Sequence, residues 1–423
     1  MKSFQVGPRQ AVILCGGLGS RLRPLTDNMP KPMAPVNGKP FLFHLLQQLS
    51  DQGIRRFLLL TGYLGEQIVE YFQDGTQWNW SIEYSQGPAD WDTGRRLWEA
   101  RQQFDIEFLL LYSDNFVQFK LEKLLELQRS TNLPICLLLA PKAKGNIRVS
   151  SNGTINAYDK NRNGEGFDFV EVGYMLISRD LVLEQFSAQP GFPNFNFSSV
   201  LKELASQSSI AGLPVLDPYH SISDPDRLQL MREYLKPKKI LLIDRDGTIN
   251  VKAPKGEYIT NWGNFEWIPE ARQGMKNLAE AGFKFIVITN QAGIARGMIN
   301  PIELEKIHKK MIAVLASEGV EILEVYCCPD HWDDNSLMRK PSPGMFFQAA
   351  KDFKLRMDQS IYVGDDERDC QAAFNAGCGM VYVHDVNEKL ALSDVPVPYF
   401  SARTLLEACD SIKNAYLNWE TIA

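Results

Sequence analysis

Short runs of aliphatic residues alternate along the chain with stretches in which apolar residues recur every three or four positions. The unbroken runs are typical of buried strands and lie at 11–15, 57–61, 108–112 and 135–140. The periodic stretches predict amphipathic helices at 41–49, 66–72 and 121–127. Strands that alternate with helices indicate an α/β fold.

The same alternation begins anew near residue 236. A helix-like stretch, 226–235, ends at Lys236-Pro237, because proline cannot continue a helix. An aliphatic run at 240–243 then opens directly into Asp244. Further aliphatic runs predict strands at 285–289, 322–326, 360–363 and 380–383. Since 423 residues also exceed what one core usually organises, we predict two α/β domains, 1–236 and 237–423.

Composition and charge favour small-molecule partners. The net charge is −6 and basic residues form only short clusters, so nothing indicates a nucleic-acid surface. The seven cysteines are an odd number without regular spacing, which fits a reducing cytoplasm. The first ten residues lack the apolar core of a secretion signal, and no apolar run approaches the ~20 residues that cross a bilayer. We expect a cytoplasmic protein without membrane contact, and the sequence leaves the oligomeric state open.

The loop after the first strand combines bare backbone with positive charge. Its sequence is CGGLGSRLRPLTDNMPKPM, residues 15–33, with Gly16, Gly17, Gly19, Arg21 and Lys31. Backbone N–H groups that no side chain shields can close on phosphate oxygens, and cationic side chains complete such a cradle. The glycines alone are more typical of a solvated turn. The spacing matches neither the P-loop nor the dinucleotide-binding fingerprint.

The full pattern of this loop is more specific than its glycines. GG-x-G-S-R-L-x-P-L-T followed by Lys-Pro resembles the sugar-1-phosphate nucleotidyltransferases, which make nucleoside-diphosphate sugars from a nucleoside triphosphate. The resemblance covers roughly 9–235, and KPMAPVNGKPFLFHLL is most similar to the heptose-1-phosphate guanylyltransferases. It implies a Rossmann-like, glycosyltransferase-A-like domain with GTP as the favoured donor. Since a sugar phosphate is already an anionic nucleophile, such a site needs cations and alignment.

The same resemblance implies roles for four further residues. LYSDN, 111–115, places Asp114 at the end of a predicted strand as a Mg²⁺ ligand. YDK gives Lys160 for the sugar phosphate with Asp159 beside it, and VEVGY gives Glu171 for the sugar hydroxyls. A strand-end aspartate is also a common turn former, and a lone glutamate is usually a solvated one.

Two segments depart from this family's pattern. SISDPDR, 221–227, has Ser221 where the second metal-binding aspartate is expected, which predicts weaker metal binding. DTGRRL, 92–97, has Arg95 and Arg96 in place of the small residues that contact the base, so the preferred base stays open. Ser221 also keeps a different class of function open. In that interpretation the first half is a binding module that recognises a nucleotide or sugar phosphate and transfers nothing.

In the second half, two aspartates follow a buried strand in LLIDRDGTIN, 241–250. Asp244 and Asp246 are two positions apart, so both side chains leave the strand on the same side, and such a pair needs a cation. A capped acidic turn is the alternative. D-x-D-G-T after four aliphatic residues resembles the haloacid-dehalogenase-like (HAD) phosphatases. In that resemblance Asp244 is the nucleophile that forms an aspartyl-phosphate, and Asp246 protonates the leaving oxygen and then activates water.

Three further segments complete the HAD motif set in order. VITN gives Thr289 and Asn290 for substrate binding, and RKPSPGM gives Lys340 to hold the phosphoryl charge. VGDDERD gives Asp365 for the metal with Asp369 as a support. The resemblance implies a Mg²⁺ ion in this domain too, with three ligands: Asp244, Asp246 and Asp365.

Within the HAD enzymes the second half most resembles two related groups. DRDGTIN, FEWIPEA, TNQAGIARG and RKPSPGM are similar to the heptose-bisphosphate phosphatases and the histidinol-phosphate phosphatases. Those relatives carry a structural zinc loop, Cys-x-His followed by Cys-x-Cys. Here CCPDHWDDNSLMRK retains Cys328, has Asp330 at the histidine position and offers His331 next to it. Because four ligands cannot be completed, we expect no zinc, and Arg339 remains for a distal phosphate or hydroxyl.

Together the two resemblances imply consecutive steps. Removal of the 7-phosphate from D-glycero-D-manno-heptose 1,7-bisphosphate forms the heptose 1-phosphate that a guanylyltransferase joins to a nucleotide. We therefore expect a bifunctional enzyme of nucleotide-activated heptose synthesis that uses Mg²⁺ in both domains. Two alternatives stay open: the same chemistries on another sugar phosphate, and a heptose-bisphosphate or histidinol-phosphate type phosphatase with a non-catalytic N-terminal module.

Overall fold

The structure is a computed structural model that describes residues 8–159, 166–215, 218–384, 396 and 399–422. The chain divides into two units, Met1–Glu233 and Tyr234–Ala423, each with its own large sheet. Both units mix helices with a central sheet, which confirms the predicted fold class of two α/β domains. Within the described ranges, no helix is long and apolar enough to cross a membrane.

The described residues of the first unit form thirteen strands. They are β1 (Gln10–Cys15), β2 (Pro35–Val36), β3 (Lys39–Pro40), β4 (Arg56–Thr61), β5 (Ser81–Gln86), β6 (Glu107–Tyr112), β7 (Asn115–Phe116), β8 (Ile135–Pro141), β9 (Ile147–Val149), β10 (Thr154–Tyr158), β11 (Phe169–Ser178), β12 (Ile210–Pro214) and β13 (His220–Ser221). Nine of them form one sheet in the order β5-β4-β1-β6-β11-β8-β12-β10-β9, and β2–β3 and β7–β13 pair separately.

Seven α-helices accompany these strands. They are α1 (Phe41–Asp51), α2 (Gly65–Phe72), α3 (Thr93–Ala100), α4 (Leu121–Thr131), α5 (Arg179–Gln185), α6 (Phe197–Ser206) and α7 (Pro225–Leu235). A hydrophobic cluster of the unit combines residues from the sheet with residues from α3, α5 and α6.

Parallel strands carry the functional edge of the first sheet. β1 pairs in parallel with β4 and β6, and β4 with β5, so the carboxyl ends of four strands meet at one edge. Every residue of β1 is buried, as is typical of a parallel strand covered on both faces. The ten-residue strand β11 runs antiparallel between β6 and β8, an orientation that the alternation in the sequence does not specify. The loops after β1, β5 and β6 are thereby brought together.

In the second unit, the residues that the structure describes form one parallel sheet and five α-helices. Its strands are β14 (Ile240–Ile243), β15 (Lys284–Asn290), β16 (Ile322–Cys328), β17 (Ile361–Gly364), β18 (Gly379–Val383) and β19 (Phe400–Ala402). Its helices are α8 (Pro269–Glu280), α9 (Pro301–Ser317), α10 (Gly344–Phe353), α11 (Glu367–Ala376) and α12 (Leu405–Ile422). The strand order is β16-β15-β14-β17-β18-β19.

The central strand of this sheet explains the position of the acidic motif. Alternate residues of β14 enter two hydrophobic clusters, Leu241 and Ile243 in one and Ile240 and Leu242 in the other. Burial on both faces accounts for the unbroken aliphatic run. β14 lies between β15 and β17, so Asp244 emerges at the carboxyl edge of the sheet, where open parallel sheets bind ligands.

Candidate active sites

A cavity of about 530 Å³ opens at the carboxyl edge of the first sheet. It is lined by the loop after β1, by the segment after β5 and by the end of β6. The predicted site residues that the structure brings together here are Gly16, Gly17, Gly19, Arg21, Lys31 and Asp114. The loop and the strand-end aspartate, which are far apart in the sequence, therefore form one site.

Lys31 and Asp114 form a charged pair in this cavity. The Lys31 Nζ lies 2.6 Å from Asp114 Oδ2, and both side chains are largely shielded from solvent. Lys31 follows the extended Pro30 and begins a short helical turn, while Asp114 follows β6. The ion pair therefore fixes the ammonium group of the returning loop against the sheet edge.

Glycine is required at position 19 for two reasons. The φ of Gly19 is +63°, in the left-handed region that side chains rarely adopt. A Cβ there would also lie only 2.9 Å from the Lys31 Cβ. Thr26 donates its hydroxyl hydrogen to the Gly19 carbonyl at 3.0 Å. The loop is thus held in one conformation with its backbone close to the cationic side chain.

Arg96 connects three loops at this edge. Its side chain is buried, with the residue only 4% exposed, and it donates to the carbonyl oxygens of Thr61 at 2.7 Å, Gly16 at 3.2 Å and Pro88 at 2.6 Å. A Cβ at Gly16 would overlap the Arg96 guanidinium, so this glycine makes room for the arginine. The sequence showed Arg96 only as a departure from a base-contact pattern, and its bridging role was missed.

The segment that contains Ser221 lies beside Asp114, but a different serine faces the cavity. The Ile222 N–H donates to the Asp114 carbonyl at 2.9 Å, and Ser223 lines the cavity. The Ser221 and Ser223 hydroxyl oxygens are 3.2 Å apart, and Arg227 donates to them at 3.2 Å and 3.1 Å. An arginine therefore accompanies the position where the family pattern led us to expect a carboxylate.

The described lining of this cavity does not include the predicted sugar-binding residues. Asp159 donates its backbone N–H to the Asn146 carbonyl at 2.8 Å, and Glu171 on β11 accepts from the Tyr158 hydroxyl at 3.1 Å. Lys160 lies outside the described residues. The roles assigned to these three residues stay predictions.

The second unit has a cavity of about 650 Å³ at the carboxyl edge of its own sheet. The predicted site residues in its lining are Asp244, Asp246, Thr289, Asn290, Arg339, Lys340 and Asp369. Asp244 directly follows β14, Thr289 and Asn290 end β15, and Lys340 lies shortly before α10, so the parallel topology gathers them as the motif order implied.

Lys340 lies between two carboxylates in this cavity. Its Nζ is 2.9 Å from Asp244 Oδ1 and 2.7 Å from Asp369 Oδ1, and it donates to the Tyr362 hydroxyl at 2.6 Å. All four side chains are buried. Burial raises the pKa of Asp244 to about 8, although the Lys340 ammonium opposes this effect. A further cation beside Asp244 would therefore favour its ionised form.

Asp365 completes an acidic cluster with these carboxylates. Asp244, Asp365 and Asp369 offer oxygens that all lie within 4.8 Å of one another. Gly247 has φ +91°, and a Cβ there would lie 2.1 Å from an Asp365 oxygen, so the glycine leaves room for that carboxylate. Lys252 Nζ is 2.7 Å from Asp365 Oδ2. Within the described part of the chain, this is the group whose side chains could share a metal ion.

Asp246 is surrounded by hydrogen-bond donors instead of joining that cluster. The Arg245 guanidinium donates to both of its oxygens, at 2.7 Å and 2.9 Å. Asn250 and Gln291 donate at 2.9 Å and 2.7 Å. Burial disfavours the Asp246 carboxylate, but Arg245 and the amide donors outweigh burial and lower its pKa. The sequence analysis missed these three partners, although Arg245 lies inside the D-x-D motif and Gln291 directly follows VITN.

Asn290 and Thr289 support the site through hydrogen bonds at the end of β15. Asn290 donates to the Lys340 carbonyl and accepts from the Lys340 backbone N–H, both at 3.0 Å. The Thr289 hydroxyl accepts from Gln291 at 2.9 Å. Asn290 therefore fixes the loop that carries Lys340.

The outer part of the second cavity is cationic and aromatic. The Arg296 guanidinium lies 5.7 Å from the Tyr258 ring and 5.5 Å from the Trp332 ring. Arg339 donates to the Asp330 carbonyl at 3.1 Å and faces the same cavity. These arginines line the opening above the buried carboxylates.

Family models match both units. The nucleotidyl transferase model matches residues 10–171, and the polynucleotide kinase 3 phosphatase model matches residues 239–377. The first match contains the glycine-rich loop and Asp114, and the second contains the complete acidic cluster.

Curated relatives align with the second unit. The D-glycero-beta-D-manno-heptose-1,7-bisphosphate 7-phosphatase of Bordetella bronchiseptica is 34% identical over 168 residues, which are 38% of this chain and 88% of that protein. Through its second unit, the chain belongs to this phosphatase family. The D-glycero-alpha-D-manno-heptose-1,7-bisphosphate 7-phosphatase of Mycobacterium bovis is 36% identical over 138 residues, 32% of this chain and 71% of the relative. The protein is therefore an enzyme with a nucleotidyltransferase domain and a phosphatase domain.

Solved structures resemble each unit separately. The D,D-heptose 1,7-bisphosphate phosphatase from B. bronchiseptica, complexed with magnesium and phosphate, has a TM-score of 0.39 and 29% identity, and it covers 42% of this chain and 98% of its own. HddC from Yersinia pseudotuberculosis has a TM-score of 0.46 and 21% identity, and it covers 54% of this chain and 100% of its own.

Proposed function

We propose that the second unit removes the 7-phosphate from D-glycero-D-manno-heptose 1,7-bisphosphate through an aspartyl-phosphate. The observation that carries this proposal is the buried Asp244 carboxylate, held by Lys340 in a cavity that Asp246 also lines. The activity named for the family relatives supports the choice of substrate.

The proposed reaction takes place in two steps, transfer of the phosphoryl group to Asp244 and hydrolysis of the aspartyl-phosphate. An Asp244 oxygen attacks phosphorus and forms an O–P bond as the bond to the sugar oxygen breaks, and the leaving oxygen takes a proton from Asp246. A water molecule then gives a proton to Asp246 and attacks phosphorus, so that inorganic phosphate leaves and the Asp244 carboxylate returns. Lys340 offsets the charge on the phosphoryl oxygens throughout. Since the pKa of Asp246 is lowered, Asp246 takes up the proton that it donates in the first step only as the phosphoryl group binds.

The acidic cluster fits a Mg²⁺ ion. Asp244 and Asp369 contact the buried Lys340, Asp365 contacts Lys252, and burial raises the pKa of Asp244. Oxygen donors of this kind are those that Mg²⁺ prefers. Asp244 and Asp365 would hold the ion, with Asp369 shared with Lys340. When bound, the ion withdraws charge from the phosphoryl group.

The outer arginines suit a substrate with a second phosphate. Arg296 and Arg339 line the same cavity as the nucleophile. Planar guanidinium groups bind phosphate through paired N–H donors, and the two aromatic rings beside Arg296 keep its plane oriented. A bisphosphate sugar can therefore place one phosphate at Asp244 while the arginines bind the other.

For the first unit we propose nucleotidyl transfer to the resulting heptose 1-phosphate. A phosphate oxygen of the sugar attacks the α-phosphorus of the triphosphate, and pyrophosphate leaves. The loop N–H groups, Arg21 and Lys31 would bind the triphosphate, and Asp114 would supply one carboxylate to a Mg²⁺ ion that the triphosphate oxygens otherwise hold. A single carboxylate is compatible with this ion, because Mg²⁺ commonly binds through one or two carboxylates plus substrate phosphates.

Guanine is the base that we propose for this pocket. Asp90 and Asp92 line the cavity beside Trp91. Asp92 is the residue before α3, and its side chain makes no capping hydrogen bond. Its backbone N–H donates to the Asn194 side-chain oxygen at 2.8 Å. Carboxylates only accept hydrogen bonds, and guanine presents two adjacent donors, N1–H and the 2-amino group, on one edge.

A product assay with heptose 1,7-bisphosphate and each of the four nucleoside triphosphates tests both proposals. We expect phosphate release without a nucleotide, and pyrophosphate release that requires the dephosphorylated sugar and is fastest with GTP. Histidinol phosphate and fructose 1,6-bisphosphate are the comparison substrates. Phosphate release that is faster with either of them would reject the heptose assignment.

The binding-module alternative retains support from Arg227. Its guanidinium donates to Ser221, where the family pattern has a metal-binding carboxylate. Absence of pyrophosphate with every triphosphate, while nucleotide binding and phosphate release persist, would favour that alternative over transfer.

A further inference from the structure

Arg245 is a fully buried arginine between the two aspartates of the D-x-D motif. It is 0% exposed, and the described cavity lining contains both of its neighbours, Asp244 and Asp246, but not Arg245 itself. A buried guanidinium is costly unless all of its donors are paired. Its role must therefore be exerted through the groups that it contacts.

The guanidinium connects Asp246 to a helix behind the site. One terminal nitrogen donates to both Asp246 oxygens, at 2.7 Å and 2.9 Å. The other lies 2.9 Å from Nε2 of His308, on α9. Because arginine carries only donors, His308 Nε2 must be the acceptor and must carry no hydrogen.

The surroundings keep His308 in this accepting form. Burial and the neighbouring Arg245 lower the pKa of His308 to about 4, although Asp246 opposes the shift. Cys327 on β16 also faces Arg245, but burial raises the pKa of its thiol to about 12, so it carries no charge near neutral pH. Asp246 and His308 are therefore the acceptors that orient the guanidinium.

We propose that His308 is a positioning residue of the phosphatase: by accepting from Arg245 it aims the guanidinium at Asp246 and fixes that carboxylate for proton transfer from the attacking water. The proposal rests on the phosphatase function proposed above. Without an acceptor at position 308, one buried Arg245 nitrogen loses its partner, and the guanidinium turns away to regain one. Asp246 then loses its fixed position, which slows hydrolysis of the aspartyl-phosphate.

Two substitutions at position 308 distinguish the effect of the hydrogen-bond acceptor from the effect of side-chain volume. His308→Phe keeps a ring of similar size but offers no acceptor, whereas His308→Gln restores an acceptor oxygen at a comparable reach. Ile307→Val, at a fully buried neighbour on the same helix, is the control for a general loss of packing. The readout is stopped-flow release of p-nitrophenolate from p-nitrophenyl phosphate at neutral pH by the full chain with Mg²⁺.

The expected result for His308→Phe is a burst of about one p-nitrophenolate per active site, followed by turnover at least ~10-fold slower than in the wild type, since a positioned base contributes ~10²–10⁴-fold. A good leaving group needs no proton, so the first step stays fast and the slow second step becomes visible. His308→Gln should recover most of the turnover, and Ile307→Val should show wild-type turnover per active site.

Three outcomes would overturn the proposal. The first is wild-type turnover in His308→Phe. The second is a burst amplitude that falls in proportion to the turnover, which indicates fewer folded sites instead of a slower step. The third is failure of His308→Gln to exceed His308→Phe. A wild-type protein that cleaves neither p-nitrophenyl phosphate nor heptose 1,7-bisphosphate would instead reject the proposed phosphatase function.

Discussion

The two cavities that we propose for phosphate binding lie at the same kind of sheet edge but have different arrangements of charge. The second unit gathers three carboxylates, two of which contact the buried Lys340 and one of which contacts Lys252. In the first unit, Asp114 is the carboxylate among the loop N–H groups and cations and is already paired with Lys31, while Asp90 and Asp92 line the cavity from the segment after β5. In the proposed functions, the acidic arrangement belongs to the domain whose own aspartate would attack phosphorus, and the cationic one to the domain whose substrate would bring the nucleophile.

The difference follows from where the nucleophile resides. A protein carboxylate must lie close to an anionic phosphoryl group, so burial, a lysine and a metal are needed to offset the repulsion. When the nucleophile is a sugar phosphate, the protein contributes donors and positive charge for a triphosphate. The predictions below test this contrast, starting with the largest expected effect.

Asp244→Asn should separate the two activities most strongly. The amide keeps the shape of the side chain but cannot form the aspartyl-phosphate, so phosphate release should fall by at least ~1,000-fold. Nucleotidyl transfer should be unchanged, because the other unit has its own core. Phosphate and pyrophosphate release are measured in parallel on the same preparation. An equal loss of both activities in a folded variant contradicts the assignment of separate sites.

Substitution of the loop cations should have the opposite effect to Asp244→Asn: transfer is lost and phosphate release is kept. Arg21→Ala and Lys31→Ala should each reduce pyrophosphate release by ~100- to 1,000-fold, since each removes a charged donor at the triphosphate. Phosphate release should persist. Arg23→Ala is the matched control, because Arg23 is exposed and pairs with Asp27 in the same loop. Near wild-type transfer by both Arg21 and Lys31 variants would show that the loop does not bind the triphosphate.

Substitutions at position 221 test whether a carboxylate at that position would bind the metal ion of the first site. From the sequence alone, Ser221→Asp should add a metal ligand and lower the Mg²⁺ concentration for half-maximal transfer. The structure changes this expectation, because Arg227 lies 3.2 Å from the Ser221 hydroxyl and would pair with the new carboxylate. We expect no change in Ser221→Asp and a ~3- to 10-fold lower midpoint in Ser221→Asp/Arg227→Ala.

A Mg²⁺ titration of pyrophosphate release measures these midpoints, with Arg227→Ala alone as the control. A lower midpoint in the single variant would show that Arg227 does not neutralise position 221. Unchanged midpoints in both Asp-containing variants would place position 221 away from the metal.

The smallest expected effect is a proton released on metal binding by the second unit. The pKa of Asp244 is raised to about 8 by burial, so near pH 7 the metal-free carboxyl group is mostly protonated, and Mg²⁺ must displace that proton. Mg²⁺ affinity should therefore increase with pH up to about 8 and level off above it. Calorimetry at pH 7 in two buffers of different ionisation enthalpy should detect release of part of one proton, and Asp244→Asn should abolish it.

Local patterns identified much of each site before the structure did. The D-x-D motif after an aliphatic run placed Asp244 at a central strand end, and the glycine-rich loop placed Lys31 near the carboxyl edge of the first sheet. Both patterns are contiguous in the sequence, and each directly follows a strand whose unbroken aliphatic run indicates burial on both faces. His308 gave no such signal, because a single histidine on an amphipathic helix is equally typical of a core position.

The sequence by itself determined the alternation of strands and helices in two α/β domains and the carboxylates, lysines and glycines of the motifs, since these depend on neighbouring residues. Tertiary structure alone decided that Lys31 pairs with Asp114, that Arg96 joins three loops and that Arg245 is held between Asp246 and His308. It also decided the raised pKa of Asp244. Burial and long-range contacts depend on how elements that are distant in the sequence pack together, and a local sequence pattern does not contain that information.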